Sequence, residues 1–284
     1  MRKKTKRLLW IGIILALLAA IPAGIWLSLT YQPSYYRAMV LQSRDQREGK
    51  ARKFVAQSLQ LRNDICNEPN WEAVFTDQEV NAWLAERHAA FSPVARILTP
   101  GRTIEETVMT LDGDNGRVDV PAAVAADRAD DGRIIELRVY WSMWPLTGEH
   151  HHRPPLLEPD PDLRQPDVIN DYQRALAAGD AEAILATFES DAYVREPAGS
   201  AYVHRGRDEL LALYQRFFSN DGGIQLEHCT VTDDGRACAL EYNLLRWGRT
   251  ELSPEAGLAV YVRGSSGKLA SARIYDDIEP PVGR

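Results

Sequence analysis

Side chains able to perform acid/base chemistry are concentrated near the end of this 284-residue chain. Glu241, Arg273 and Asp277 lie on or directly after strand-like runs, and His204 precedes a helical pattern. A carboxyl group held in an apolar pocket titrates outside its usual range and can then exchange protons with a ligand. We therefore treat these four residues as candidate catalytic groups. The alternative is that Arg273 forms an ordinary cross-strand ion pair with Glu241 or Asp277.

Candidate ligand-contacting residues in the same region carry aromatic or amide side chains: Tyr214, Tyr242, Asn243 and Tyr275. Strand alternation places Glu241 and Asn243 on one face of their strand and Tyr242 on the other. The sequence leaves open which of these faces lines a pocket. A raised pKa of Glu241 in that pocket would favour an enzyme over a binding protein.

Helical and strand patterns surround these candidates. The predicted helices carry apolar residues at helical spacing, and they cover Val168–Ala178, Ala181–Phe188 and Asp208–Phe218. The predicted strands are separated by short turns, and they cover Ala237–Leu245, Gly257–Val262 and Leu269–Tyr275. Helices gathered on one face of an antiparallel sheet form an α+β domain.

Three short motifs within this order carry a family resemblance: Ala177-Ala178-Gly179-Asp180, Phe188-Glu189-Ser190-Asp191-Ala192 and His204-Arg205-Gly206. With them, residues 167–281 resemble the SnoaL-like branch of the nuclear transport factor 2-like superfamily. The resemblance implies a cone-shaped, curved antiparallel sheet with three helices and a pocket at the open end. Members include ketosteroid isomerase, polyketide cyclases, limonene epoxide hydrolase and proteins that only bind or dimerise. Asp277, Arg273 and Glu241 could imitate the Asp-Arg-Asp set of limonene epoxide hydrolase, and no cofactor is implied.

The amino terminus predicts a membrane anchor. Five basic residues between Arg2 and Arg7 precede an uncharged apolar run, Leu8–Leu29, which is long enough to cross a bilayer as a helix. Basic residues stay on the cytoplasmic side, so we expect a single-pass protein of the cell membrane with its amino terminus inside. A cleaved signal peptide is the alternative, although this run is longer than a usual signal core.

Composition changes along the chain predict five segments. They are a basic tail and anchor (1–31), a helical stalk (32–100), a partial SnoaL-like β repeat (101–149), a proline-rich linker (150–166) and the SnoaL-like domain (167–284). The repeat, over about residues 103–147, aligns Pro121 with Pro254 and, further on, Arg138 with Arg273 and Tyr140 with Tyr275. The first copy is either a divergent cone or an incomplete sheet that the second copy must cover.

Three further features limit the function. Cys229 and Cys238 could form a disulfide if the hairpin between them closes through a four-residue loop, or they could be two small buried residues. The chain carries no metal motif, and His150–His152 is interpreted as a solvated loop. The net charge of −7 gives no basic surface for nucleic acid.

Two functions fit these observations. The first is a membrane-anchored SnoaL-like module that binds a small apolar ligand or pairs with another copy through its outer sheet face. The second is a cofactor-independent cyclase, isomerase or hydrolase that uses general acid/base residues in the cone pocket. Whether the protein is an enzyme stays open at the level of sequence.

Overall fold

The computed structural model describes residues 41–67, 76–86, 90–113, 116–199 and 201–282. Contacts between residues divide the chain into two compact units, Met1–His88 and Ala89–Arg284. The predicted membrane segment, Leu8–Leu29, lies outside the described residues. Of the helices that are described, none is long and apolar enough to cross a bilayer.

The described part of the first unit is a pair of helices, α1 (Arg44–Asn67) and α2 (Asp77–Glu86). Helix α2 begins with a capping box. The backbone N–H of Thr76 donates to Glu79 Oε2 at 3.0 Å, and the backbone N–H of Glu79 donates to Thr76 Oγ1 at 3.2 Å. This reciprocal pair satisfies two donors that the first turn leaves free.

The second unit begins with four strands and a one-turn helix: β1 (Ala90–Thr99), β2 (Arg102–Gly113), β3 (Gly116–Arg128), β4 (Ile134–Trp141) and α3 (Trp144–Thr147). It continues with helices and short strands: α4 (Asp167–Ala178), α5 (Ala181–Thr187), β5 (Phe188–Arg195), β6 (Val203–Arg205) and α6 (Gly206–Phe217). It ends with four long strands: β7 (Ile224–Asp233), β8 (Ala237–Trp247), β9 (Thr250–Arg263) and β10 (Leu269–Tyr275).

The strands of the second unit form two sheets. Sheet 1 has the order β1-β2-β3-β4, and sheet 2 has the order β6-β5-β10-β9-β8-β7. All neighbours are antiparallel except β5 and β10, which run parallel, so the sheet is not purely antiparallel as predicted. Helices α4, α5 and α6 pack on one side of sheet 2, which confirms the predicted α+β class.

Local sequence explains where the helices of sheet 2 begin and end. Helix α4 ends at Gly179, whose φ of +72° suits glycine. Asp180 then caps α5, because its side chain accepts from the backbone N–H of Ala183 at 2.9 Å. Ile184 and Leu185 of α5 are buried in the same apolar cluster as Ile169 of α4.

Sheet 1 repeats the four long strands of sheet 2 residue by residue. Glu106 of β2 pairs with Ala123 of β3, and Glu241 of β8 pairs with Leu258 of β9. The offset between copies is 135 residues, the same separation that Ser142 and Asp277 have. The repeat includes an irregularity of register, which falls between Pro93 and Ala95 in β1 and between His228 and Thr230 in β7. The two copies therefore share this β-bulge, the pairing of their strands and, as far as Leu244, the same register.

This repeat differs from its sequence-based description in two ways. Strand β1 was not predicted, because Pro93 and the weak alternation of Ala90–Thr99 obscure it within the predicted stalk. The predicted alignment of Pro121 with Pro254 was wrong by two residues. In the structure Thr107 lies opposite Ala122 and Tyr242 lies opposite Gly257, so Ala122 is equivalent to Gly257. From Gly132 onward the predicted alignment agrees with the structure.

The two sheets pack face to face through equivalent surfaces. We call this the outer face of each sheet; the opposite, inner face of sheet 2 contacts the helices. One apolar cluster joins Ile97, Ile104 and Tyr140 of sheet 1 to Leu258 and Val260 of sheet 2. Sheet 1 thus covers the outer face of sheet 2.

Candidate functional site

The candidate site is the cup enclosed by the inner face of sheet 2 and helices α4 and α6. Its cavity has a volume of about 80 Å³. Most of its lining is apolar and aromatic: Leu176, Val194, Phe217, Ile224, Leu226, Leu244, Trp247, Ala259, Ile274 and Ile278. A concave apolar space with few polar groups is the usual form of a small-molecule site.

The main polar group in the cup is the carboxyl of Asp276, directly after β10. Its side chain is buried, at 7% exposure, and Tyr242 Oη donates to Asp276 Oδ2 at 2.8 Å. Burial raises the pKa of Asp276 to about 6, although the bonds from Tyr242 and from the backbone N–H of Ile278 oppose the rise. The nearby negative charge of Asp277 adds to it.

The surroundings of Asp277, the next residue, shift its pKa in the opposite direction. Ser142 Oγ donates to Asp277 Oδ1 at 2.6 Å, and the backbone N–H of His151 donates to Oδ2 at 3.1 Å. His150 Nδ1 lies 3.2 Å from Oδ1. Burial raises the pKa of Asp277, but these partners together lower it below its ordinary value. The pKa values of the two adjacent carboxyls are therefore driven apart, and Asp276 is the one that lines the cup.

Tyrosine hydroxyls form the floor of the cup. Tyr172 Oη and Tyr214 Oη lie 2.9 Å apart, and Gln173 Nε2 donates to Tyr261 Oη at 2.8 Å. Burial raises the pKa of Tyr172 to about 12, so this hydroxyl stays protonated at neutral pH. The ring of Tyr242 packs against Gly257.

A second polar group lies at the wall of the cup. Glu196 lines the cavity and is bonded to His204 Nε2 at 2.7 Å and to Arg216 Nη2 at 3.0 Å. His204 therefore contacts the carboxylate of Glu196, which lines the cavity, and is not itself one of the lining residues.

Two of the predicted catalytic residues lie between the sheets, away from the cup. Arg138 donates to both oxygens of Glu241, from Nε at 2.6 Å and Nη2 at 3.0 Å. Arg273 donates to Glu106, from Nε at 2.7 Å, in place of the expected pair with Glu241 or Asp277. The predicted Glu241–Arg273–Asp277 set is not assembled, because the first copy supplies partners for Glu241 and Arg273.

The predicted pocket residues divide between the two faces. Tyr214 and Tyr242 line the cup. Tyr275 points to the outer face, where its hydroxyl donates to Glu106 at 2.5 Å. Asn243 shares that orientation, and its Nδ2 donates to the carbonyl of Leu157 in the linker at 3.0 Å.

Of the two alternatives for Cys229 and Cys238, the structure shows two small buried residues, and it corrects the solvated loop predicted for His150–His152. Cys229 and Cys238 are free and buried, because Cys229 sits at the bulge of β7 and Cys238 pairs with Asp233. The segment His150–His152 is not fully solvated, since His150 is 10% exposed and contacts Asp277.

Asp276 is not among the four candidate catalytic residues chosen from the sequence, although it belongs to the ionisable residues of the last strand. Strand alternation from Ile274, which lines the cup, already places residue 276 on the inner face. Choosing between Asp276 and Asp277 requires knowing which face the helices cover.

Residues 169–271 match the family of the SnoaL-like domain. No curated protein matches the sequence. The fold is similar to a putative polyketide cyclase from Sinorhizobium meliloti, with 24% identity over 39% of this chain and 94% of that one (TM-score 0.33). It is similar to an NTF2-like protein of unknown function from Burkholderia xenovorans LB400, with 26% identity over 40% and 84% (TM-score 0.32). A putative polyketide cyclase from Xanthomonas campestris pv. campestris has 22% identity over 38% and 86% (TM-score 0.32).

Proposed function

We propose, taking residues 169–271 as a SnoaL-like domain, that its cup binds a small, largely apolar ligand and presents Asp276 to the ligand's one polar group. The observation that carries this proposal is the buried carboxyl of Asp276 inside an apolar cavity. A cavity of about 80 Å³ limits the ligand to a small molecule. The aromatic lining supplies contact area for the ligand, and a hydrogen bond with Asp276 fixes the orientation of the ligand.

The charge of Asp276 determines which ligands bind at a given pH. Its pKa of about 6 means that the carboxyl is protonated and can donate below that pH, and accepts only above it. A ligand with a carbonyl therefore binds more tightly below about pH 6, whereas a ligand with a hydroxyl donor binds more tightly above it.

Titration with small cyclic ketones and cyclic alcohols tests this proposal. Trp247 lines the cavity, so its fluorescence reports occupancy. Asp276→Ala should weaken binding about 10- to 100-fold, because a bond to a charged group contributes about 1.5–3 kcal/mol. The matched control is Asp171→Ala on the exposed side of α4. Unchanged affinity in Asp276→Ala for every ligand that binds would contradict the proposal.

A second candidate function is cofactor-independent acid/base catalysis at the same residue. The opposed pKa shifts of Asp276 and Asp277 favour it. The Asp276 carboxylate would take a proton from a carbon next to a ligand carbonyl and return it to the same ligand at another atom, with Tyr242 holding the carboxyl in place. Such a step needs neither metal nor redox cofactor.

Deuterium exchange tests catalysis without knowledge of the substrate. A general base in the cup incorporates deuterium from heavy water next to the carbonyl of a bound ketone, which mass spectrometry detects. Asp276→Asn should abolish the incorporation while Asp171→Asn leaves it unchanged. Binding of ketones without any protein-dependent exchange would leave the binding function and reject the catalytic one.

We also propose that Leu8–Leu29 anchors the protein in the cell membrane, with the cup outside the cytoplasm. Support comes from the uncharged run and the basic residues before it. The protein should stay with membranes through alkaline carbonate extraction, and protease added outside intact cells should remove its carboxy-terminal part. Recovery in the soluble fraction would contradict the anchor.

A further inference from the structure

The two ion-pair clusters between the sheets are related by the internal repeat. Glu106 of sheet 1 accepts from Arg273 and Tyr275 of sheet 2. Glu241 of sheet 2 accepts from Arg138 at 2.6 Å and from Tyr140 at 2.8 Å, both of sheet 1. Each residue of one cluster stands 135 positions from its counterpart in the other, as Ser142 does from Asp277.

This exchange of partners is the geometry of a two-fold interface. In a symmetric dimer, residue i of one copy contacts residue j of the other, and j contacts i. Here Glu106 contacts Arg273 while Glu241 contacts Arg138, which are the two halves of such an exchange. Ser142 and Asp277 are equivalent positions that contact each other, as residues next to a two-fold axis do.

The interface is also buried as thoroughly as a core. The carboxylates of Glu106 and Glu241 are 0% and 1% exposed, and both lie within apolar surroundings. Separating the sheets would expose the apolar cluster that they share to water, so neither sheet can present this face to water without a free-energy cost.

We infer that sheet 1 is a built-in partner for sheet 2. It occupies, within the same chain, the outer face that a second copy of this chain would otherwise use. Two chains can pair through this face only if they exchange their β1–β4 segments, so that sheet 1 of each covers sheet 2 of the other. The inference concerns the outer face and is independent of what the cup binds.

Charge reversal across the interface tests the inference in the full chain, kept in mild detergent. Glu106→Arg and Arg273→Glu each place like charges together, and each should lower the melting temperature by about 6–20 °C. The double variant E106R/R273E should recover at least half of that loss and stay monomeric by native mass.

Mixing gives a second readout. Refolding the E106R chain together with the R273E chain should yield a heterodimer, because an exchange of β1–β4 places opposite charges together at both interfaces. Each chain refolded alone should melt at the lowered temperature of its single variant, and the heterodimer should melt at a higher temperature than either. The matched control is the exposed pair of Arg96 and Glu105 within sheet 1, whose reversal should change neither melting nor mass.

Two results would overturn the inference. One is a double variant no more stable than the weaker single variant, which would show that the pair is not coupled across the interface. The other is a wild-type dimer that E106R converts to a folded monomer, which would show that the face joins two chains without exchange.

Discussion

Asp276 and Asp277 are adjacent residues with opposite electrostatic environments. Asp276 faces the apolar cup and has one strong side-chain donor, Tyr242. Asp277 faces the segment after sheet 1, where Ser142 and backbone N–H groups surround it. Because strand alternation sends neighbouring side chains in opposite directions, one β-strand end can supply both a proton carrier and a fixed charge.

The raised pKa of Asp276 predicts a pH-dependent stability difference between the wild type and Asp276→Asn. Because the folded-state pKa of about 6 lies above the ordinary 3.8, the wild type loses stability as the pH rises between these values, and the variant does not. As the pH rises across this window, the free energy of unfolding of the variant should therefore increase by about 3 kcal/mol relative to that of the wild type. Urea unfolding at a series of pH values measures the difference, with Asp171→Asn as a control that shows no trend.

The hydrogen bond from the Tyr242 hydroxyl leads to a second prediction, which concerns the titration of Asp276. This hydrogen bond lowers the pKa of Asp276, so Tyr242→Phe should move the titration midpoint above about 6. The variant should also lose about 1–3 kcal/mol of stability at neutral pH, where the charged carboxyl lacks its donor. A double-mutant cycle with Asp276→Asn measures the coupling. Equal losses from Tyr242→Phe in both backgrounds would contradict the prediction.

At the scale of elements, the pairing of β8 with β9 shapes the cup. Gly257 lies opposite Tyr242, and a Cβ there would come within 2.5 Å of the tyrosine ring. The equivalent pair in sheet 1 is Thr107 opposite Ala122. Threonine is smaller than tyrosine, and Ala122 has the Cβ that Gly257 lacks. The glycine thus gives the aromatic ring the position from which it reaches Asp276.

This contact predicts that Gly257→Ala displaces the ring of Tyr242. We expect a loss of about 1–3 kcal/mol from overpacking and a weaker bond to Asp276. Adding Tyr242→Thr recreates the pair found in sheet 1, so the double variant should lose less than the sum of its single changes. Thermal unfolding measures each value, and Ala122→Gly in sheet 1 is the control for the change of backbone freedom. If the loss of stability in the double variant equals the sum of the two single losses, this explanation is wrong.

The elements of sheet 2 could be predicted because their signals are local. Gly179, Asp180 and the turn at Gly264–Gly267 fix boundaries within a few residues, and Leu269–Tyr275 agrees at both ends. Strand β1 could not be predicted, since its pairing with β2 follows from the repeat and not from its own alternation. The partners of Glu241 and Arg273 also stayed hidden, because they lie 103 and 167 residues away.

At the scale of the whole molecule, the cup belongs to the second copy. Trp141 stands at the position of Asp276 and Thr107 at that of Tyr242, so sheet 1 lacks the bonded pair. Its inner face leaves Phe91, Leu137 and Val139 between 40% and 56% exposed. The two copies therefore have different roles: sheet 2 holds the candidate site, and sheet 1 covers its outer face.

The shared cluster between the sheets predicts that residues 90–282 unfold in one transition. Ile104→Ala in sheet 1 and Leu258→Ala in sheet 2, both 0% exposed, should each destabilise that transition by about 2–5 kcal/mol. Ile134→Ala, at a side chain that is 60% exposed, is the control and should change little. Calorimetry checks the result, and separate transitions for the two sheets would contradict it.

The distance along the chain between interface partners has a consequence for synthesis. Glu106 leaves the ribosome 167 residues before Arg273, which at about 5–20 residues per second is a delay of roughly 8–33 s. Sheet 1 pairs locally and can form early, so its outer face is exposed to the cytosol or the translocation channel during that time. Nascent chains of this protein should therefore bind chaperones through β1–β4, and release should coincide with completion of β10.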